Sequence, residues 1–119
     1  MEFQRRTYKL ALDVIDLVEK LPKSTVSKVL GEQLLRSATS IGANVSEAKG
    51  ASSKKDYANF FSFALKSANE TKFWLNLLHD SGKADKETMD KLSKEVTELA
   101  NILGSSIITL KNGSHSLNL

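Results

Sequence analysis

Residues 26–50 read VSKVLGEQLLRSATSIGANVSEAKG, and this stretch decides the fold class of the 119-residue chain. Apolar side chains recur there in steps of three and four, the repeat that places them on one face of an α-helix. The same stretch contains Gly31 and Gly42, and a glycine inside a helix costs about 1 kcal/mol relative to alanine. We therefore predict a helix against which another helix packs closely. The apolar stripe consists of Leu30, Leu34, Ala38, Ile41, Val45 and Ala48.

Three more segments carry an apolar stripe of the same period, over about residues 3–21, 54–80 and 86–111. One proline and six glycines in the whole chain favour long helices over many short strands. Four amphipathic helices with short connections pack most simply as an antiparallel up-down-up-down four-helix bundle. The sequence thus predicts an all-α domain over residues 1–111 and a frayed polar tail over 112–119.

Proline and capping residues mark where these helices begin and end. Pro22 ends the first helix because its ring disfavours helical geometry in the residue before it. Asp56, three residues after Ser53, makes the start of the third helix resemble a capping box. The candidate N-caps of the second, third and fourth helices are Ser24 or Thr25, Ser53 and Asp85.

The composition is that of an ordinary globular domain, with 40% hydrophobic and 26% charged residues. The absence of cysteine excludes disulfides, thiolate metal sites and a cysteine nucleophile, and it suits a reducing cytoplasm. Behind Arg5 and Arg6, the charged residues Lys9, Asp13 and Asp16 interrupt any apolar run. We therefore expect a soluble cytoplasmic protein with no membrane partner.

The familiar catalytic and metal-binding motifs are missing from the sequence. A di-metal site in a bundle uses a glutamate three residues before a histidine, but Asn76 and Asn112 precede the two histidines, His79 and His115. Glycine-rich phosphate loops and the zinc motif His-Glu-x-x-His are also absent. A serine nucleophile needs a positioned base, and neither histidine has an evident partner. We expect no enzyme, no metal, no cofactor and no small-molecule substrate.

The net charge of +3 lies in the first half of the chain, where residues 1–60 hold 10 Lys or Arg against 7 Asp or Glu. For a single chain, a solvated charged face is the favoured interpretation. Several copies in one oligomer would instead make a multivalent surface for nucleic-acid phosphates. The candidate cations are Arg5, Arg6, Lys9, Lys49, Lys54 and Lys55.

The third helix carries large apolar residues outside its stripe, namely Phe63, Trp74 and Leu77. A monomeric bundle buries one stripe of each helix, so these side chains would expose an apolar patch of the kind that marks an interface. We predict that they contribute to self-association. The alternative is an unusually tilted helix that buries them internally.

Four polar residues, Arg36, Asn44, Glu47 and Glu70, allow two interpretations. The favoured one is a structural network in which Arg36 pairs with a glutamate across a helix or subunit interface, because a buried charge needs a partner. The other is a recognition surface or a site for a polar ligand.

The run QLLRSATSIGANVSEAKG, residues 33–50, resembles a motif of a known bacterial family. It is similar to that of the four-helix-bundle proteins encoded within intervening sequences of bacterial large-subunit (23S) ribosomal RNA genes. A second block, over residues 55–70, resembles the following helix of that family, and the likeness spans about residues 3–110. The residues that match the first block are Gln33, Leu34, Arg36, Ser40, Ile41, Ala43, Asn44 and Glu47.

The resemblance implies a homo-oligomeric four-helix bundle, which in known relatives is a pentameric ring. Certain relatives accompany reverse transcriptases in diversity-generating retroelements, where they bind nucleic acid and the polymerase. The resemblance also implies a polar network of family-motif residues. Its members are Gln33, Arg36, Ser40, Asn44, Glu47 and Glu70.

The basic first half, the third helix and the resemblance together lead to one hypothesis. The protein is expected to be a non-enzymatic, ring-forming bacterial protein that binds RNA or DNA through the backbone without strong sequence preference. The alternative is a protein-interaction scaffold or adaptor with no nucleic-acid role, in which the basic residues serve only solubility.

Overall fold

Four α-helices and their connections make up the computed structural model, which describes residues 2–112. They pack side by side in a body of 48 × 21 × 20 Å. No strand occurs within residues 2–112, so the predicted all-α, four-helix class is confirmed. The predicted tail lies outside the described residues from 113 onward. The helices are α1 (Glu2–Glu19), α2 (Thr25–Ala48), α3 (Lys54–Asp80) and α4 (Lys86–Lys111).

The helices pack in a closed circuit in which each one touches the next and α1 also touches α4. The contact between α2 and α3 is the most extensive, and that between α1 and α4 is the least. Within this circuit α1 lies across the core from α3. The rings of Phe3 and Phe61 meet there, with 6.1 Å between their centroids.

The predicted apolar stripes form the core. On α2 the stripe is buried from Leu34 to Ala48, and only Leu30 at its start is partly exposed. Leu21, at the end of the first predicted stripe, is also only partly buried. These are end effects, because a bundle closes most completely around its middle. The largest fully buried side chains are Phe61, Leu10, Leu34, Ile41, Leu75, Leu78, Met89, Leu99 and Leu103.

Two helices end earlier than the periodicity predicts, α1 at Glu19 and α2 at Ala48. After α1, the backbone N–H of Leu21 donates to the carbonyl of Val18 at 3.2 Å, a three-residue bond that tightens the last turn. Pro22 then prevents the helix from continuing, since the residue before a proline avoids helical geometry.

The predicted caps are confirmed, with Ser24 rather than Thr25 capping α2. At α3, the hydroxyl of Ser53 accepts from the Asp56 N–H at 3.0 Å. The carboxylate of Asp56 in turn accepts from the N–H of Ser52 at 3.1 Å. At α4, the Thr88 N–H donates to Asp85 and lowers the pKa of that carboxyl group. Each cap satisfies a backbone donor that has no partner within its own helix.

Both glycines predicted to mark a close helix contact do so. A Cβ atom on Gly42 would lie 3.3 Å from Oγ1 of Thr7 and 3.6 Å from its backbone carbon. A Cβ atom on Gly31 would lie 3.1 Å from Cδ1 of Leu21. On α4, by contrast, a Cβ atom on Gly104 would meet nothing within 4 Å. The glycines of α2 therefore let α1 approach, whereas Gly104 has no such role.

We predict opposite effects for two glycine substitutions. Gly42→Val should lower the free energy of unfolding by about 1–3 kcal/mol, because the new side chain meets the backbone of α1 at Thr7. Gly104→Ala should raise it by about 0.5–1 kcal/mol through helix propensity alone. Urea unfolding followed by circular dichroism measures both. A Gly42→Val protein as stable as the parent would contradict the close contact between α1 and α2.

Candidate functional site

A hydrogen-bonded cluster of polar side chains joins the outer sides of α2 and α3. The guanidinium group of Arg36 pairs with the carboxylate of Glu70 and also donates to Oε1 of Gln33 at 3.0 Å. Nε1 of Trp74 donates to the same carboxylate at 2.9 Å. We call these four residues the α2–α3 polar cluster. It lies within a single chain, which is one of the two placements that the sequence left open for Arg36.

A seam of hydroxyl groups continues from this cluster along the two helices. The amide of Asn44 donates to Oγ of Ser40 at 3.1 Å, and the hydroxyl of Ser67 donates to the same oxygen at 3.0 Å. Deeper in the contact, the buried hydroxyl of Thr71 donates to Oγ of Ser37 at 2.9 Å. The sequence did not predict Ser37, Ser67 or Thr71 as members of the network. The sequence feature that could have predicted them is the presence of small hydroxyl side chains on the facing sides of two adjacent helices.

Glu47 is the one residue of the predicted polar network that does not join the others in the structure. It is exposed near the end of α2. Within residues 2–112 its side chain makes no hydrogen bond or ion pair with the other members. The carboxylate that pairs with Arg36 is therefore Glu70, from α3, and Glu47 is left to face solvent.

The hydrogen bonds of the α2–α3 polar cluster are made among its own members. Its acceptors and donors are directed at one another, and Glu70 accepts from both Arg36 and Trp74. Because both charged side chains are partly exposed, their ion pair is expected to contribute at most about 1 kcal/mol to stability. The cluster joins α3 to α2 and leaves the carboxylate of Glu70 paired on the outer surface.

The predicted interface residues on α3 divide into two groups. Phe63 and Leu77 are 54% and 37% exposed, whereas Trp74 is partly buried and packs against the core. Phe73, which the sequence did not single out, is 57% exposed and lies edge-on to Trp74 with 4.9 Å between centroids. Its position three residues after Glu70 and four before Leu77 was the available signal. The tilted-helix alternative therefore applies to Trp74 alone.

The cations of α1 are engaged by nearby carboxylates. Nη2 of Arg5 lies 3.0 Å from Glu2, and Nζ of Lys9 lies 2.7 Å from Asp13. Both pairs join residues of one exposed helix face, so each is weak and open to competition from a phosphate group.

Arg6 is held more firmly than its neighbours. Its guanidinium group donates twice to the carboxylate of Glu95 on α4, at 3.1 and 2.5 Å, and Glu98 lies 3.8 Å away. The hydrogen-bonded Glu95 raises the pKa of Arg6, so this side chain remains a cation. Since its charge is neutralised across the least extensive helix contact, Arg6 serves to tie α1 to α4.

The remaining candidate cations, Lys49, Lys54 and Lys55, lie together at the connection between α2 and α3, and all three are exposed. Within the described part of the chain, Lys49 and Lys55 have no ion-pair partner. These two side chains are the most available of the predicted phosphate contacts.

Two further observations concern metals and membranes. His79 lies 3.0 Å from its neighbour Asp80, and His115 is outside the described residues. Nowhere in residues 2–112 do three or more His, Asp or Glu side chains gather closely enough to hold a metal ion. Within the same range, every helix is too polar to cross a membrane.

The four packed helices of residues 2–112 place the chain in the class of four-helix, all-α proteins. The model of the 23S rRNA-intervening sequence protein family matches residues 1–105, and the chain belongs to this family. Among solved structures, it is similar to a protein of unknown function from the S23 ribosomal protein family of Bacteroides thetaiotaomicron. The two are 35% identical over 88% of this chain and 97% of that chain, with a TM-score of 0.83. Comparison with curated proteins gave no match.

We predict that the α2–α3 ion pair contributes little to stability. Arg36→Ala should lower the free energy of unfolding by less than about 1 kcal/mol, because both partners are partly exposed. Thr71→Val should lower it by about 1 kcal/mol, since it removes a buried hydrogen bond to Ser37. Urea unfolding of the two variants makes the comparison. A loss well above 2 kcal/mol for Arg36→Ala would mean that the pair is a principal element of the fold.

Proposed function

We propose that this protein is a non-enzymatic, homo-oligomeric bundle that binds RNA or DNA through the phosphate backbone with little sequence specificity. The observation that carries the proposal is the group of exposed lysines at the α2–α3 connection. Lys49 and Lys55 are available there to bind phosphate, and Lys54 lies between them in the chain. Such contacts position a nucleic acid without reading its bases.

We propose the up-down-up-down course for the four helices. Gly31, near the start of α2, lies beside Leu21 at the end of the α1 segment, whereas Gly42 lies beside Thr7 near the start of α1. The side-chain hydrogen bonds between α2 and α3 follow the same opposing order. With this course, the start of α1 and the α2–α3 connection share one end of the bundle, and the contact between Phe3 and Phe61 supports that placement.

The shared end would collect all six candidate cations in one region. The lysines of the connection would make the first phosphate contacts there. Arg5 and Lys9 would add weaker ones by exchanging Glu2 and Asp13 for phosphate, because exposed ion pairs of this kind are worth little. Arg6 would contribute mainly through its field, because Glu95 already occupies its guanidinium group.

We further propose that the chain assembles into a homo-oligomer, with five copies as the resemblance implies. The exposed apolar side chains of Phe63, Phe73 and Leu77 support self-association. Assembly would multiply a weak patch into an array. Several copies binding one nucleic acid gain affinity through effective concentration rather than through new contacts.

Charge reversal at the connection tests nucleic-acid binding. Lys49→Glu together with Lys55→Glu should weaken binding of labelled RNA and DNA by at least about tenfold at low salt. The plot of log affinity against log salt should also become shallower, by roughly 0.7–0.9 for each phosphate that the variant no longer binds. Fluorescence anisotropy over a salt series measures both effects.

The matched control is Lys23→Glu together with Lys28→Glu, which changes the net charge equally on exposed residues of the α1–α2 connection and the first turn of α2. This variant should retain most of the affinity and the full salt slope. Equal losses in the two variants would indicate net charge alone. If the parent protein bound neither RNA nor DNA at low salt, the proposed function would be wrong.

A protein-interaction scaffold is the second candidate, and the exposed apolar side of α3 is the observation that favours it. In that case the partner would be another protein, bound against Phe63, Phe73 and Leu77, and the lysines would only aid solubility. Stoichiometric capture of one protein, unchanged by nuclease treatment, would support this function.

The proposal also covers the cellular location of the protein and its relation to other proteins. We place the protein in the cytoplasm, which the absence of cysteine suits. A relation to the accessory proteins of diversity-generating retroelements rests on the resemblance alone. Copurification with a reverse transcriptase would support it.

A further inference from the structure

We infer that α1 and α3 supply the two halves of one interface between neighbouring copies, with the outer face of α1 packing on the outer face of α3 in the next copy. The inference rests on the homo-oligomer proposed above and names the surfaces that join its copies. The α1 stripe consists of Tyr8, Leu12 and Ile15. The α3 stripe consists of Phe63, Phe73 and Leu77.

The α1 stripe is an exposed apolar face that the sequence analysis did not single out. Tyr8, Leu12 and Ile15 are 67%, 48% and 39% exposed, and they follow one another in steps of four and three. They therefore lie on one side of the helix, away from the side that Leu10 and Val14 bury in the core. A helix with apolar residues on both sides has a second surface to cover.

The α3 stripe follows helical steps of three and four through Phe63, Lys66, Glu70, Phe73 and Leu77, so the exposed cation Lys66 and the carboxylate of Glu70 lie between its apolar residues. Leu77 follows Phe73 by four residues, and Glu70 precedes Phe73 by three. Arg36 and Trp74 of the same chain already engage the carboxylate of Glu70. A neighbouring copy that covered this face would therefore meet no unpaired carboxylate at its centre.

The placement of the two stripes decides what kind of contact they make. Because α1 lies across the core from α3, the stripes face opposite sides of the bundle. One copy cannot bring its own two stripes together. Two different surfaces make a head-to-tail contact, which closes into a ring if the rotation from one copy to the next allows it and otherwise continues as a helical filament, whereas a single self-complementary face makes a two-fold dimer.

The apolar area explains why each copy needs both contacts. At about 200 Å² for a whole aromatic side chain, Tyr8, Phe63 and Phe73 together expose roughly 350 Å². Leu12, Ile15 and Leu77 add about 100 Å². A standard interface buries about 900 Å² of apolar surface, so one contact supplies about half of that area. An isolated pair is therefore weak, and a closed ring engages every copy twice.

Ile15 and Phe73 are the residues with which to test the contact. They follow Phe3 and Phe61, whose rings meet in the core, by twelve residues each. With α1 and α3 running in the same direction, they lie at the same height of the bundle. The chain has no cysteine, so Ile15→Cys and Phe73→Cys each introduce one unique thiol.

The two cysteine variants are refolded together and treated with a short bismaleimide cross-linker. A covalent dimer of twice the 13.1 kDa chain should form in the mixture and should be nearly absent from either variant alone. Ile108→Cys, at an exposed apolar position on α4, is the matched control and should form no dimer with either partner. Circular dichroism checks that all three variants retain their helices.

Each other result overturns the inference. A covalent dimer of Phe73→Cys with itself would indicate a two-fold contact through α3. The absence of a mixed dimer would show that the α1 and α3 stripes of neighbouring copies do not meet. Light scattering of the unmodified protein distinguishes failure of the α1–α3 interface from failure of the proposed homo-oligomer. An oligomer without the mixed dimer removes only the α1–α3 interface. A single-chain mass removes the homo-oligomer together with this inference, and anisotropy then tests nucleic-acid binding on the monomer.

Discussion

The close approach of α2 to both of its neighbours is the constraint on which the rest of the structure depends. Gly42 allows Thr7 of α1 to come near, and the small residues Ser37 and Ser40 face α3 on the other side. Small side chains bury little apolar area, so this contact needs another source of specificity. Hydroxyl and amide groups provide it, because a buried donor without a partner costs more than the bond itself contributes.

The polar contact between α2 and α3 also shapes the outer surface. With Glu70 turned toward Arg36, the indole of Trp74 is held at the edge of the core and Phe73 is left outside it. Apolar side chains thus remain exposed along the flank of the bundle, while the available lysines lie at the α2–α3 connection. Binding of another copy and binding of phosphate would use different parts of the molecule.

Much of the fold was predictable because helical periodicity is a local property. The buried stripes of α2 and α4 agree with the spacing of their apolar residues, and Ser53 and Asp85 cap helices as their positions predict. The helix ends were less predictable. The first helix stops two residues before its pattern does, because Pro22 acts on the turn that precedes it.

The sequence by itself determined which residues face the core, where the helices start and to which family the chain belongs. Only the tertiary structure decided which charges meet. Glu70 rather than Glu47 pairs with Arg36. Arg6 is neutralised by Glu95, which lies on α4, 89 residues later in the chain. It also showed that Tyr8 and Phe73 remain exposed. The reason is that periodicity describes one helix alone, whereas the partner of a side chain depends on how two helices rotate and slide against each other.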